Sequence, residues 1–219
     1  MVTVSQTPQI ILRTAFDVSR YKNMRNSPVS KNEIRIQQYI DGSHSFQSAF
    51  PEYVNYEITI LDNTLDSHLF FPKKFVKLWK VANLVCTRTN NFGKYNKGAG
   101  DVETLKNAFK TNIIRRDFLF YELRIETVSA SFIENFMQKP RNLISREVGG
   151  NSVKSGYIGF NYETARDFYF SVSPIRMVLN KTSIEDLLYK NWIDNSREFA
   201  PDQAYALRFD PWANKYIPY

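Results

Sequence analysis

Short runs of strand-type alternation and of helical spacing are interleaved along the whole chain without a regular β–α–β rhythm. That feature constrains the fold more than any single motif does. Residues 53–61 are rich in β-branched and aromatic side chains and read as a strand. Pro72 then opens a segment reaching Cys86, in which Phe75, Leu78, Trp79, Ala82, Val85 and Cys86 share one arc of a helical wheel opposite Lys73, Lys77 and Lys80. Asp101 is the expected N-cap of a second helix, with Val102, Leu105, Phe109 and Ile113 at helical spacing. Residues 118–128 alternate as a strand, and Ser131 caps a short helix that ends before Pro140. Residues 143–148 and 153–162, joined through Gly149-Gly150-Asn151, form an expected hairpin. Further strand material is expected at 167–173 and 175–179, around Pro174.

Capping-box spacings mark two more helices. Thr182 and Glu185 open one that carries Ile184, Leu187, Leu188 and Trp192. Ser30 and Glu33 open another over 31–40, which Asp41-Gly42 ends; Ile34, Ile36, Gln38 and Ile40 also alternate as a strand would. Residues 10–18 are compatible with a buried helix or strand. The expected fold class is α+β: an antiparallel or mixed sheet with about four helices, in one domain over 1–199, followed by an extended C-terminal arm over 200–219.

The chain's 219 residues can bury a core without covalent staples. Its single cysteine, Cys86, excludes an internal disulfide and a cysteine-based zinc site, and its place on the apolar arc predicts a buried, inert thiol. No basic and apolar leader opens the sequence, and no apolar run is long enough for a membrane helix. The expected location is cytoplasmic or virion, without secretion through a signal peptide and without membrane partners.

Charge is distributed unevenly. The net charge is +7, yet residues 73–116 alone carry +9 and the remainder carries −2. Lysines on two helices flank a loop in which Arg88, Lys94 and Lys97 interleave with Phe92 and Tyr95. Cations neutralise phosphates and aromatic rings stack on bases, so this mixture suits nucleic acid or an acidic protein partner. The expected contact residues are Lys73, Lys77, Lys80, Arg88, Lys94, Tyr95, Lys97, Lys106, Lys110, Arg115 and Arg116. Gly93, Gly98 and Gly100 would let backbone approach a ligand closely.

No catalytic constellation emerges. Gly93 and Gly98 are followed by Ala99-Gly100 where a phosphate-binding loop needs Lys-Ser/Thr, and Gly149-Gly150 and Gly156-x-x-Gly159 are not set in a dinucleotide fingerprint. The two histidines, His44 and His68, read as surface or loop residues. Asp62, Asp66, Glu122 and Glu126 are the best carboxylates for metal-dependent hydrolysis, but Arg124 stands where a tunable lysine base would be needed. Glu122, Arg124 and Glu126 read more simply as a cross-strand charge ladder. No catalytic residue, metal ligand or cofactor is therefore expected.

Three prolines and five large aromatics fill the last twenty residues; Tyr205, Phe209, Trp212 and Tyr216 are the expected subunit contacts. The content of Asn, Lys, Ile and Tyr, the scarcity of Cys and the aromatic end resemble virion proteins of tailed phages. That resemblance implies a non-enzymatic structural component of a large multi-subunit assembly, of connector, ring or tail type, with other subunits as partners and non-specific nucleic acid as a further one. The alternative is an independent nucleic-acid-binding or processing protein acting through residues 73–116.

Overall fold

A computed structural model describes residues 7–18, 32–87, 90–124, 130–146, 153–194, 198–200, 207–210 and 215–218. The first half of the chain alternates strand and helix: β1 (Gln9–Thr14), α1 (Asn32–Ala49), β2 (Ile58–Asp62), α2 (Lys73–Leu78), β3 (Asn83–Cys86), α3 (Lys97–Lys110) and β4 (Phe118–Glu122). The second half adds α4 (Ala130–Gln138), β5 (Leu143–Arg146), β6 (Val153–Phe160), α5 (Tyr162–Ser171), α6 (Pro174–Asn180), α7 (Ile184–Asp194) and β7 (Glu198–Ala200).

These strands form one seven-stranded mixed sheet in the order β3-β2-β1-β4-β6-β5-β7. β1 to β4 are mutually parallel, β6 runs antiparallel to β4, and β5 and β7 restore the first direction. β1, β2 and β4 are buried at every position, as strands covered on both faces must be. Tyr39, Phe46, Phe75, Trp79, Phe132 and Phe136 pack one face, from α1, α2, the residue after α2, and α4. α3, α5, α6 and α7 cover the other with Val102, Leu105, Phe168, Met177, Leu188 and Trp192.

The mixed sheet agrees with expectation, but its core is mostly parallel and the described residues hold seven α-helices rather than about four. The β–α–β rhythm is present and was hidden by short elements. Residues 72–86, expected as one helix, are six residues of α2, a turn at Trp79, and strand β3. Residues 167–171 and 175–179, within the segments expected as strands, lie in α5 and α6, with Val172 and Ser173 as the caps between them. Asn161 caps α5 through Thr164 N at 3.3 Å, and Ser173 caps α6, with Pro174 in its first turn. α3 begins at Lys97, where the Asn96 side chain accepts from Ala99 N at 3.1 Å, and not at Asp101. Cys86 is half-buried on β3 rather than helical and buried. β5 and β6 pair antiparallel as expected, with the turn at Gly149-Gly150-Asn151 outside the described residues, and the helix expected to be capped by Ser131 is present but starts at Ala130.

Within the segment expected as an extended arm, β8 (Leu207–Asp210) and β9 (Lys215–Pro218) pair antiparallel, with Phe209 opposite Tyr216. Tyr205 and Trp212 lie outside the described residues, as do Arg88 and Glu126.

α1 runs through Asp41-Gly42 instead of stopping there, because Gly42 is where the helix meets the end of β4. A Cβ at Gly42 would sit 1.5 Å from the Leu123 carbonyl oxygen. Behind it, Trp79 Nε1 donates to Ser43 Oγ at 2.8 Å, tying α1 to the end of α2. Gly42→Ala should therefore cost more than about 3 kcal/mol or prevent folding. The exposed Ser45→Ala on the same helix should stay within about 0.5 kcal/mol. Urea unfolding of both variants checks this, and equal stabilities would contradict the close approach.

Candidate active site at the carboxyl ends of the parallel strands

From β1 the chain steps outward through β2 to β3, then crosses back over the opposite face to form β4 on the other side of β1. The connections leaving β1 and entering β4 thus diverge to opposite faces. In open α/β sheets, such a reversal of strand order leaves a crevice beyond the carboxyl ends of the two strands. Arg13 of β1 and Glu122 of β4 are register partners at that boundary.

Both are nearly inaccessible, and they anchor a charged network. Arg13 pairs with Asp101 of α3 and lies 3.3 Å from Glu122 Oε1. Lys97, in the first turn of α3, donates to Glu122 Oε2 at 3.0 Å, and its side chain is half exposed. Arg124, just past β4, lies 4.0 Å from Glu122 on the α3 side and donates to Gln38 of α1 at 3.4 Å on the other. Arg35 of α1 donates through Nε to the Ala15 carbonyl and is close enough to Arg13 and Arg124 to feel their charge.

Four cations meet the carboxylates of Asp101 and Glu122 here, with Glu185 near Asp101 and Asp62 at the end of β2. Burial alone would raise Glu122, but Lys97, Arg13 and Arg124 together hold it well below the usual carboxylate range. Burial pushes Asp101 up to about 6, against the pull of Arg13 and Lys97 and with Glu122 and Glu185 nearby. Burial, reinforced by Arg124 and Arg13, lowers Arg35 to about 10.

Asp62, at the end of β2, has a different role. It accepts from Thr14 Oγ1, Phe16 N, Thr64 N, Thr64 Oγ1 and Leu65 N at 2.7–3.0 Å. Its oxygens hold the segments that follow β1 and β2 in place. Asp66, His44 and His68 are exposed. Among the described residues no group of three or more His, Cys, Asp or Glu is placed to hold a metal ion.

The amino ends of the strands are closed by contrast. Gln9 donates to Glu57 and to the Ile113 carbonyl at 3.1 Å, while Arg115 and Arg116 reach Glu57 at 2.7 Å.

The basic residues of 73–116 are therefore divided among several places. Lys73 and Lys77 belong to α2 on one face of the sheet, and Lys80 is exposed just beyond it. Lys106 and Lys110 belong to α3 on the other face, both beside the ring of Phe170. Lys94 lies over its neighbour Tyr95 in the loop before α3. Arg115 and Arg116 sit at the amino ends, and of the expected contact residues that are described only Lys97 joins the network at the carboxyl ends. Gly98 and Gly100 approach protein rather than ligand: added Cβ atoms would meet Ile184 at 3.0 Å and Gly93 Cα at 2.7 Å.

Sequence reasoning passed over Arg13, Arg35 and Asp101 as site residues. One signal was available, an arginine directly after the apolar run Ile10-Ile11-Leu12. A separate pocket of about 350 Å³ lies between α5, α6 and α7, lined in part by Ser173, Arg176, Asn180, Lys190 and Asp194.

No protein-family model matches the chain, and no curated protein matches it by sequence. Among solved structures, it is similar to a candidate nucleotide-diphospho-sugar transferase from Desulfovibrio desulfuricans G20. That match has a TM-score of 0.55 at 12% identity and covers 88% of this chain and 78% of the other. It also aligns with the apo form of mouse xyloside xylosyltransferase 1, at TM-score 0.46 and 11% identity, over 88% of this chain and 84% of that one.

The first comparison defines the fold class: a mixed α/β fold shared with a protein designated as a sugar-nucleotide transferase. It corrects the expectation of a non-enzymatic virion component of connector, ring or tail type, because the resemblance behind that expectation was one of composition, which does not determine topology. The expectation that the chain is not an enzyme is corrected with it, and the alternative of an independent nucleic-acid-binding or processing protein gains no support from that fold. Among the described residues, no helix is long and apolar enough to cross a membrane.

The raised Asp101 carboxyl has a signed consequence. In the unfolded chain it ionises near 3.8 and in the fold near 6, so its stabilising contribution is complete below 3.8 and is lost as pH rises through 6. The loss is at most about 3 kcal/mol. Denaturant unfolding between about pH 4.5 and 7.5 should show wild type losing on the order of 2 kcal/mol that Asp101→Asn does not lose. Parallel profiles would contradict the assignment.

Proposed function

We propose that the protein transfers a sugar from a nucleoside-diphosphate donor, with the donor's diphosphate seated in the crevice between the carboxyl ends of β1 and β4. The observation that carries this reading is the gathering of Arg13, Arg35, Arg124 and the half-exposed Lys97 at the strand-order reversal. Its setting is a fold shared with a candidate nucleotide-diphospho-sugar transferase.

In such a transfer, the bond between the anomeric carbon and the diphosphate oxygen breaks, and its electron pair leaves with the diphosphate. The acceptor oxygen bonds to the anomeric carbon and gives up its proton. Negative charge accumulates on the leaving diphosphate, so cations fixed in place before the reaction stabilise the transition state more than the ground state. Lys97 and Arg124 hold that position. Asp101 and Glu122 orient the cations: Arg13 is held between both carboxylates, and Lys97 is directed onto Glu122.

Thermal denaturation with uridine, guanosine, adenosine, cytidine and thymidine diphosphates tests the reading. At least one should raise Tm by about 5 °C or more at a hundredfold excess over its Kd. The matching nucleotide sugar should then release nucleoside diphosphate in the presence of the protein. No shift with any nucleotide, together with no release, would refute it.

A further inference from the structure

Resting on that reading of the site, we propose that the donor's diphosphate is neutralised by the chain's own cations, Lys97, Arg124 and Arg35, and that its binding requires no divalent metal ion. The donor set supports this. A hard divalent cation needs several oxygen ligands, carboxylates first among them. Among the described residues, Glu122, Asp101 and Asp62 each already face cations or donors at the strand ends, although Glu122 Oε1 and Asp101 Oδ1 accept no hydrogen bond. Glu122 Oε2 accepts from Lys97, and Glu122 Oε1 faces Arg13 and Arg124. Asp101 is paired with Arg13, and both oxygens of Asp62 are taken by five donors. A metal ion bound at Glu122 would have to displace cations already held there.

The site also holds buried donors without acceptors. Arg35 is 3% exposed, and its NH1 has no hydrogen-bond partner; Arg124 Nε and Gln38 Nε2 likewise have none. A buried donor without an acceptor is costly, and a buried like-charge cluster more so. Arg35 and Gln38 come from α1 and Lys97 from α3, with Arg124 between them after β4. The unmet donors thus come from the α1 wall and from the end of β4, with Lys97 on the α3 wall. A diphosphate offers several acceptor oxygens and negative charge. Guanidinium groups match such oxygens geometrically, and Lys97, half exposed, is the cation an incoming anion meets first.

Calorimetric titration of the full chain with inorganic pyrophosphate and with the five nucleoside diphosphates, in EDTA and again in excess Mn²⁺ or Mg²⁺, tests this. Affinity in EDTA should lie within about threefold of that with metal. Lys97→Ala should weaken binding about tenfold, Lys97→Arg should restore it to within about threefold, and Lys74→Ala on α2 should leave it unchanged. Lys97 is the variant of choice because Glu122 keeps Arg13 and Arg124 when it is removed, so the fold persists. Nucleotide binding that disappears in EDTA and returns with metal would overturn this inference and leave the proposed function standing. Pyrophosphate binding through Lys97 without nucleotide binding would do the reverse. Binding of neither would overturn both.

Discussion

The pairing of Arg13 with Glu122 across the β1–β4 boundary is the interaction on which the arrangement depends. A buried ion pair is weak as a source of stability, because desolvation offsets most of its attraction. This one is sustained by its neighbours: Asp101 on Arg13, and Lys97 and Arg124 on Glu122. Register makes it possible. Ile11 and Arg13 share a face of β1, as Phe120 and Glu122 share a face of β4, so apolar packing below fixes the charges above. A slip of one residue would turn both charges toward the aromatic layer of α1 and α2.

The two ends of the parallel strands are built for different purposes. At the amino ends, Gln9, Glu57, Arg115 and Arg116 satisfy one another and close the sheet. At the carboxyl ends, Asp62 holds the segments after β1 and β2 in place, while α1 and α3 bring cations toward the boundary from opposite faces. Those cations gather there, where the strand order reverses.

Much of the architecture was legible in the sequence where elements are long or well marked. The pairing of β5 with β6, the helix around Ser131 and the helix through Trp192 follow from alternation and helical spacing, though the caps moved by a residue: α4 starts at Ala130, and Ser183 rather than Thr182 accepts from the first turn of α7. The parallel half was hidden by brevity: α2 and β3 together span fewer residues than one ordinary helix, and their apolar positions happen to fit a single wheel. α1 was obscured because Gly42 reads as a terminator, whereas here it is a contact surface. The site was harder still. Arg13, Arg35, Asp101 and Arg124 are far apart in sequence and match no motif, and the local charge density of residues 73–116 drew attention away from them. Density along the chain is a poor guide when the helices concerned lie on opposite faces of a sheet.

The most direct test of the account is a crystal structure of the protein with a bound nucleoside diphosphate. The account predicts the diphosphate beyond the carboxyl ends of β1 and β4, with its oxygens within hydrogen-bond distance of Lys97 and Arg124. A nucleotide lodged instead in the pocket between α5, α6 and α7, with the β1–β4 crevice unchanged, would contradict it.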